Sequence, residues 1–278
     1  MPPSTVAALQ KILELVQAVE YDRVTMKVAI IGYGGMGREV EKVLLDRGHE
    51  VSARIDPVQK GADAKELTEK IARDSDMAIE FSQAEVVLEN ARAFARLGLS
   101  AVVGTTGWFG RLDELKKILE SAKIGYLYGS NFSIGAHLFF ALAAAATELA
   151  NPCPEYDIMG WEVHHRRKKD SPSGTALTLA RIVTAKSVRK TRVVTDRLDR
   201  APAPDELHFA SVRGGDEPGT HTLLLDSSFD TIELTHRARS RGGFALGAVR
   251  AAEWLSGRKG LFEVNDFIQE MLQGERGA

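Results

Sequence analysis

Residues 161–175, WEVHHRRKKDSPSGT, gather the residue types that acid–base chemistry on an anion requires. Two adjacent histidines, His164 and His165, close an apolar stretch, and histidine titrates near neutrality. The basic run 166–169 follows, and lysine offers a compact positive charge. A Pro-containing turn then leads into a helix opening at Gly174-Thr175, where free N–H groups and the helix dipole attract carboxylates. Each feature alone has a plainer reading. Paired histidines are more often structural, a basic run is usually a solvated face, and Ser-Gly-Thr is a common helix start. Placed together on one short loop, they describe anion sites beside a proton donor.

What such a loop would act with is written upstream. The apolar run 28–31 ends in Gly32-Tyr33-Gly34-Gly35-Met36-Gly37, and Val40, Val43 and Leu44 then follow at helical spacing. This is the strand, glycine loop and helix of a dinucleotide-binding unit. Gly32 permits the tight turn, Gly34 lets backbone approach a pyrophosphate, and Gly37 lets helix and strand pack closely. A second strand, 49–55, ends at Asp56, placed to accept hydrogen bonds from ribose hydroxyls. Asp56-Pro57 also reads as a turn. Arg54 and Lys60 lie close enough in sequence to compensate a 2′-phosphate, so the cofactor is NADH or NADPH.

Strands at 77–81, 100–103 and 124–128 alternate with helices at 84–97 and 113–122, the grammar of a parallel sheet with helices on both faces. Ligands bind beyond the carboxyl ends of such strands. Phe81-Ser82, Gly104-Thr105-Thr106-Gly107 and Gly129-Ser130-Asn131-Phe132 all stand there. After 134 the pattern changes. An alanine-rich helix at 136–149 stops at Asn151-Pro152-Cys153-Pro154, and strands follow at 157–164, 206–212, 220–226 and 231–236. With no helix between the last three, antiparallel pairing is expected, with turns at 214–219 and 227–230. Helices at 244–255 and from 264 return to the first unit.

The expected fold is therefore α/β. A Rossmann-type doubly wound parallel sheet (26–134 plus 243–278) binds dinucleotide, and an inserted α+β unit (135–242) carries the anion-binding loop. Residues 1–25 carry Leu9, Ile12, Leu13, Val16 and Val19 at helical spacing, an amphipathic extension rather than a signal peptide. At 278 residues with net charge −2, the chain gives no global reason to expect nucleic-acid or membrane partners. The lone Cys153 excludes an intrachain disulfide and a two-cysteine metal site, so no metal is expected, and a reducing, cytoplasmic setting fits.

The run HHRRKKDSPSGT also resembles the signature HHxxKxDxPSGT of the 4-hydroxy-tetrahydrodipicolinate reductase (dihydrodipicolinate reductase) family, which serves the diaminopimelate route to lysine. GTTGW from Gly104, SNFSIGAHLF from Ser130, VRGGDEPGTH from Val212 and THRARSRGGFALGAVRAAEWL from Thr235 extend the resemblance over everything after Met26. Ser171 stands where the family usually has alanine, and the glycine loop is one residue shorter than in many members. The resemblance implies NAD(P)H-dependent reduction of a small dicarboxylate. It implies His164 as proton donor with Lys168 as its partner, and His165, Gly174 and Thr175 as holders of the substrate carboxylates. Gly32, Tyr33, Gly34, Gly35, Met36, Gly37, Asp56, Gly104, Thr105, Thr106, Gly129, Ser130, Asn131 and Phe132 would line the dinucleotide, with Arg241 and Phe244 as further contacts. A homotetramer built through the sheet of the second unit is also implied. Two other readings stand beside it: a different amine or imine dehydrogenase on the same scaffold, and a nucleotide-sensing module without turnover.

Overall fold

A computed structural model describes residues 25–273, so the amphipathic extension expected over 1–25 lies almost wholly outside the described residues. The first half alternates as its patterning requires. β1 (Lys27–Ile31) leads through the glycine loop into α1 (Gly35–Asp46), followed by β2 (Glu50–Ile55), a short α2 (Glu69–Arg73) and β3 (Met77–Glu80). Then come α3 (Val87–Leu97), β4 (Ser100–Val103), a 3₁₀ turn at Phe109–Arg111 running into α4 (Leu112–Leu119), and β5 (Gly125–Tyr128).

A strand near the C-terminus, β11 (Gly260–Glu263), completes six parallel strands in the order β11-β5-β4-β3-β1-β2. This is a doubly wound, Rossmann-like sheet. Its inner strands β1, β3, β4 and β5 are near-continuous buried runs because both faces are covered. Val28 and Ile30 enter one core with Leu44 of α1, while Ala29 and Ile31 enter the other with Phe94 of α3 and Leu115 of α4. Strand order reverses between β1 and β3, and the crevice of such a sheet opens at that point. The glycine loop and Phe81-Ser82 stand on its two sides.

α5 (Ile134–Ala150) leaves the sheet, with Ser133 as its N-cap accepting from the Ala136 N–H at 3.3 Å. The second sheet is built from β6 (Asp157–His164), β7 (Arg192–Val194), β8 (Glu206–Arg213), β9 (Thr220–Asp226) and β10 (Thr231–Arg237), in the order β10-β9-β6-β8-β7. α5 and α6 (Gly174–Lys186) cover one face, packing Phe139, Phe140, Leu179 and Val183 against Ile158, Leu207, Phe209, Leu223 and Leu225. Gly160 sits on that face because a Cβ there would stand 2.5 Å from the Phe209 ring.

One expected pairing is corrected. β9 and β10 do form an antiparallel pair, but β8 does not pair with β9. It runs parallel to β6, which lies between them. Residues 214–219 are consequently not a hairpin turn. They carry the chain across the end of β6, where His165 N–H donates to Glu217 O at 2.8 Å and Gly214 N–H donates to His164 O at 2.9 Å. β6 takes the central place because its alternate residues 158, 160, 162 and 164 are all buried. The short β7, β11 and α2 have too few residues to show a period, and were not expected.

α7 (Gly242–Leu255) and α8 (Val264–Gln273) return to the first sheet, placing Ala248, Val249, Leu255, Phe267 and Ile268 in the core shared with α1. Gly247 permits the closest approach: a Cβ there would lie 1.7 Å from Phe132 O. Glu253 of α7 fastens the return, accepting two bonds from the Arg47 guanidinium at 2.7 Å each and contacting the buried His49 at 2.8 Å.

Candidate active site

The rim of the first sheet is tied together loop by loop. Gly32 has φ +88° and donates to Ile55 O at 2.8 Å, and a Cβ on it would lie 2.2 Å from Phe81 O. A Cβ on Gly37 would meet Gly32 O at the same distance, whereas one on Gly34 would meet nothing within 4 Å. Two glycines thus serve packing, and the third faces open space at the start of α1, as a pyrophosphate cradle requires. Arg241 Nη1 lies where a Cβ of Gly35 would come within 2.2 Å, so a cation overhangs the loop. Phe244 stands half-buried in the first turn of α7, its N–H donating to Arg241 O at 3.1 Å. Tyr33 is buried and Met36 packs against the core.

Further along, Ser82 N–H donates to Thr105 Oγ1 at 2.8 Å, and the Gly104 backbone passes against the Phe81 ring. Phe81 and Phe132 meet edge to face at 6.3 Å. Gly129 N–H donates to Val103 O at 3.1 Å, while Thr106 and Ser130 are exposed. The predicted cofactor residues therefore share one rim.

Asp56 lies against the glycine loop, but its carboxylate is largely spent on backbone. It accepts from the N–H groups of Tyr33, Val58 and Gln59, each at 2.9 Å. Burial works to raise this carboxyl's pKa, and the three donors outweigh it, holding the group below its usual range. These contacts are those of a turn builder. Arg54 is engaged by Glu41 and Asp63, whereas Arg38 lies 4.5 Å over the Tyr33 ring and donates to Lys60 O at 2.7 Å.

The second half of the site hangs on Glu162, which is fully buried. Its Oε1 accepts from Ser173 N–H, Ser211 Oγ and Arg213 Nη2, all at 2.8 Å. Its Oε2 lies 3.1 Å from His164 Nδ1 and 3.3 Å from His221 Nε2. Burial alone would raise the Glu162 pKa; donors from His221, Ser173 and Arg213 override it and hold the carboxyl far below the usual range. Burial pushes the His164 pKa down to about 4, although the neighbouring Glu162 charge opposes this.

Ser173 caps α6, its Oγ accepting from Ala176 N–H at 3.1 Å while touching His221 Nε2 at 3.1 Å. Gly174 and Thr175 thus open a well-held helix, whose first N–H groups have no partner within the helix. Asn131 Nδ2 reaches Thr175 Oγ1 at 3.5 Å, joining the cofactor rim to this helix start. Lys168 Nζ pairs with Asp170 at 2.9 Å, and Arg213 Nη2 donates to Asp170 O at 2.7 Å. Of the rest of the basic run, Arg166 and Lys169 are exposed and Arg167 pairs with Asp216 at 2.6 Å. His165 is half-buried, and its N–H donates to Glu217 O of the crossing loop.

Sequence reasoning missed Glu162, Ser173, His221 and Arg213 as members of the site. A signal for Glu162 was present: it is the carboxylate on the buried alternation of β6, two residues before His164. Arg213 and His221 lie in the VRGGDEPGTH stretch of the resemblance, but their meeting with Glu162 is set by the unexpected β6–β9 and β6–β8 pairings. Glu162, His164 and His221 also form a group whose donor types could take a metal ion. Arg213, on the same carboxylate, already supplies the positive charge that an ion would bring.

Comparisons with known proteins agree along the chain. Residues 26–132 match the family described as dihydrodipicolinate reductase, N-terminus, and residues 135–268 match dihydrodipicolinate reductase, C-terminus. The 4-hydroxy-tetrahydrodipicolinate reductase of Christiangramia forsetii is 34% identical over 248 residues, covering 89% of this chain and 100% of the relative. That of Archaeoglobus fulgidus is 37% identical over 262 residues, covering 88% and 100%. A solved structure of dipicolinate-bound dihydrodipicolinate reductase from Paenisporosarcina sp. TG-14 superposes with a TM-score of 0.68 at 23% identity, covering 86% of this chain and 98% of that one, a likeness of fold.

The glycine geometry makes a separable prediction. Gly34→Val should lower the melting temperature by only about 2–4 °C, the roughly 1 kcal/mol of a poorer N-cap, because its Cβ meets nothing within 4 Å. It should weaken NADH binding at least roughly tenfold, the value of 1.4 kcal/mol. Fluorescence titration beside a thermal melt checks both, and unchanged affinity would remove the cradle role.

Proposed function

The chain belongs to the dihydrodipicolinate reductase family, and from that premise we propose how its own residues divide the work. The protein is an NAD(P)H-dependent oxidoreductase that reduces 4-hydroxy-tetrahydrodipicolinate to tetrahydrodipicolinate, in the diaminopimelate route to lysine. The observation that carries the division of labour is the Asn131–Thr175 contact, because it brings the cofactor rim and the HHxxKxDxPSGT loop into one cleft.

In this reading 26–134 with 243–278 bind the dinucleotide and 135–242 bind substrate. The open face of Gly34, the Arg241 cation and the loops at Gly104-Thr105-Thr106 and Gly129-Ser130-Asn131-Phe132 hold the cofactor, which supplies hydride when bound. Asp56 shapes the loop and borders the ribose. The α6 N-terminus at Gly174 and Thr175, with His165, holds the substrate carboxylates through N–H groups, a hydroxyl and an imidazole. Lys168, held at the cleft by Asp170, supplies the compensating charge. His164 gives the proton. Catalysis then rests on placing acceptor, cofactor and donor together.

We also assign a homotetramer and a cytoplasmic location. The second sheet has one face covered by α5 and α6. Its other face presents Met159, Trp161 and Val163 beside Leu224, Ala210 and Val212, an apolar patch that supports assembly. Among the described residues no helix is long and apolar enough to cross a membrane.

Three measurements test this reading. His164→Gln and Lys168→Ala should each lower kcat by roughly 10²-fold or more while NADH affinity survives, and near-normal turnover in both removes the assigned roles. For pH, a proton donor must be protonated, so rates fall as pH rises through its pKa. Burial holds His164 at about 4 in the free protein, and a bound dianion raises that value. The falling limb of kcat should therefore lie at higher pH than that of kcat/KM; coincident limbs would contradict His164 as donor. Finally, Trp161→Glu should shift the species seen by sedimentation to a smaller oligomer, and an unchanged tetramer would place the interface elsewhere.

A further inference from the structure

Glu162 is the buried charge to which those roles give no task. We propose that Glu162 is a positioning residue that fixes the tautomer of His164, an inference resting on His164 as proton donor. An ionised carboxylate only accepts hydrogen bonds. Ser173 N–H, Ser211 Oγ and Arg213 Nη2 converge on Oε1, so Oε2 alone is left for the two imidazoles. It lies 3.1 Å from His164 Nδ1 and 3.3 Å from His221 Nε2. A bare lone pair on His164 Nδ1 would face that charge, so this nitrogen carries a proton; His221 Nε2 also meets Ser173 Oγ at 3.1 Å.

His164 then rests as the Nδ1–H tautomer, with the Nε2 lone pair turned toward Gly219. A Cβ at Gly219 would lie 2.8 Å from that atom, so the crossing loop keeps bare backbone beside it. Nε2 takes a proton from solvent water and gives it to the substrate as the cofactor's hydride reduces it, and the histidine returns to the neutral Nδ1–H form that Glu162 accepts. In the described geometry the Nδ1 contact is close but not aligned as a hydrogen bond; such contacts commonly tighten once ligand binds.

Glu162→Gln reverses the constraint with little change in shape. The carboxamide oxygen stays where three donors converge, which turns the NH₂ toward His164 Nδ1. His164 is then driven to the Nε2–H tautomer, and its imidazolium faces a donor. In serine proteases the equivalent loss of an acceptor beside the catalytic histidine lowers kcat by about 10⁴.

The test uses the full-length enzyme labelled with ¹⁵N-histidine. In the unsubstituted protein at neutral pH, long-range ¹H–¹⁵N spectra should show His164 as Nδ1–H; Nε2–H would overturn the proposal whether or not the variant folds. In Glu162→Gln the tautomer should switch and kcat should fall roughly 10²–10⁴-fold with NADH Kd changed less than about twofold. The falling limb of its pH profile should move to lower pH, because the charge of Glu162 opposes the lowering effects of His221 on β9, Arg213 on β8 and Lys168 on the loop. A folded variant with an unswitched tautomer, or with kcat within about threefold of the parent, a loss under 1 kcal/mol, would also overturn it. Normal turnover in His164→Gln would instead overturn the donor assignment beneath it. The two failures are therefore distinct.

Discussion

A buried carboxylate is costly unless every lone pair finds a donor, and meeting that cost at Glu162 organises the substrate half of this protein. Its aligned donors come from the N-cap of α6 and from β8, while β9 and its own strand bring His221 and His164 within 3.3 and 3.1 Å of the other oxygen. The helix start that would hold substrate carboxylates and the histidine that would deliver a proton are thereby held by one ion. Removing one partner of such a cluster typically costs about 3–5 kcal/mol, so the set persists as a unit or not at all. Order here comes from electrostatic satisfaction more than from apolar packing.

The cofactor half is ordered by steric closeness. Gly32 and Gly37 let backbone approach backbone, Gly104 lets the chain lie on the Phe81 ring, and Gly247 lets α7 meet the Phe132 carbonyl. α7 follows the inserted sheet in sequence yet packs on the first sheet, and Glu253 anchors it to Arg47 and His49. Arg241, just before that helix, is thereby brought over the glycine loop. The insertion is thus clamped at both ends, by Asn131–Thr175 on entry and by α7 on exit. In the proposed division of labour, alignment of the two units depends on those two ties.

The crossing loop at 214–219 shows how far a correct local reading can mislead about placement. Gly, Asp, Glu and Pro do mark a turn-forming segment, and turn propensity was read properly. The turn joins strands that are not neighbours, because β6 with its buried alternation claims the centre of the sheet. As a result Glu217 and Gly219 lie over the histidines and not at a remote tip.

Much was determined by sequence alone. The glycine loop, the alternating strands and helices, and the HHxxKxDxPSGT run are local signals: they depend on backbone freedom, side-chain period and residue chemistry within a few positions. They located the loops on the rim of the first sheet and the helix start at Gly174, while the family resemblance singled out Lys168 from the basic run. Tertiary structure decided which distant groups complete that chemistry. Sheet order put His221 and Arg213 onto Glu162, and turn geometry bound the Asp56 carboxylate to backbone. These outcomes turn on register and on competition for buried hydrogen bonds, which link residues some 50 positions apart (Glu162 and Arg213 differ by 51) and leave no mark in local spacing.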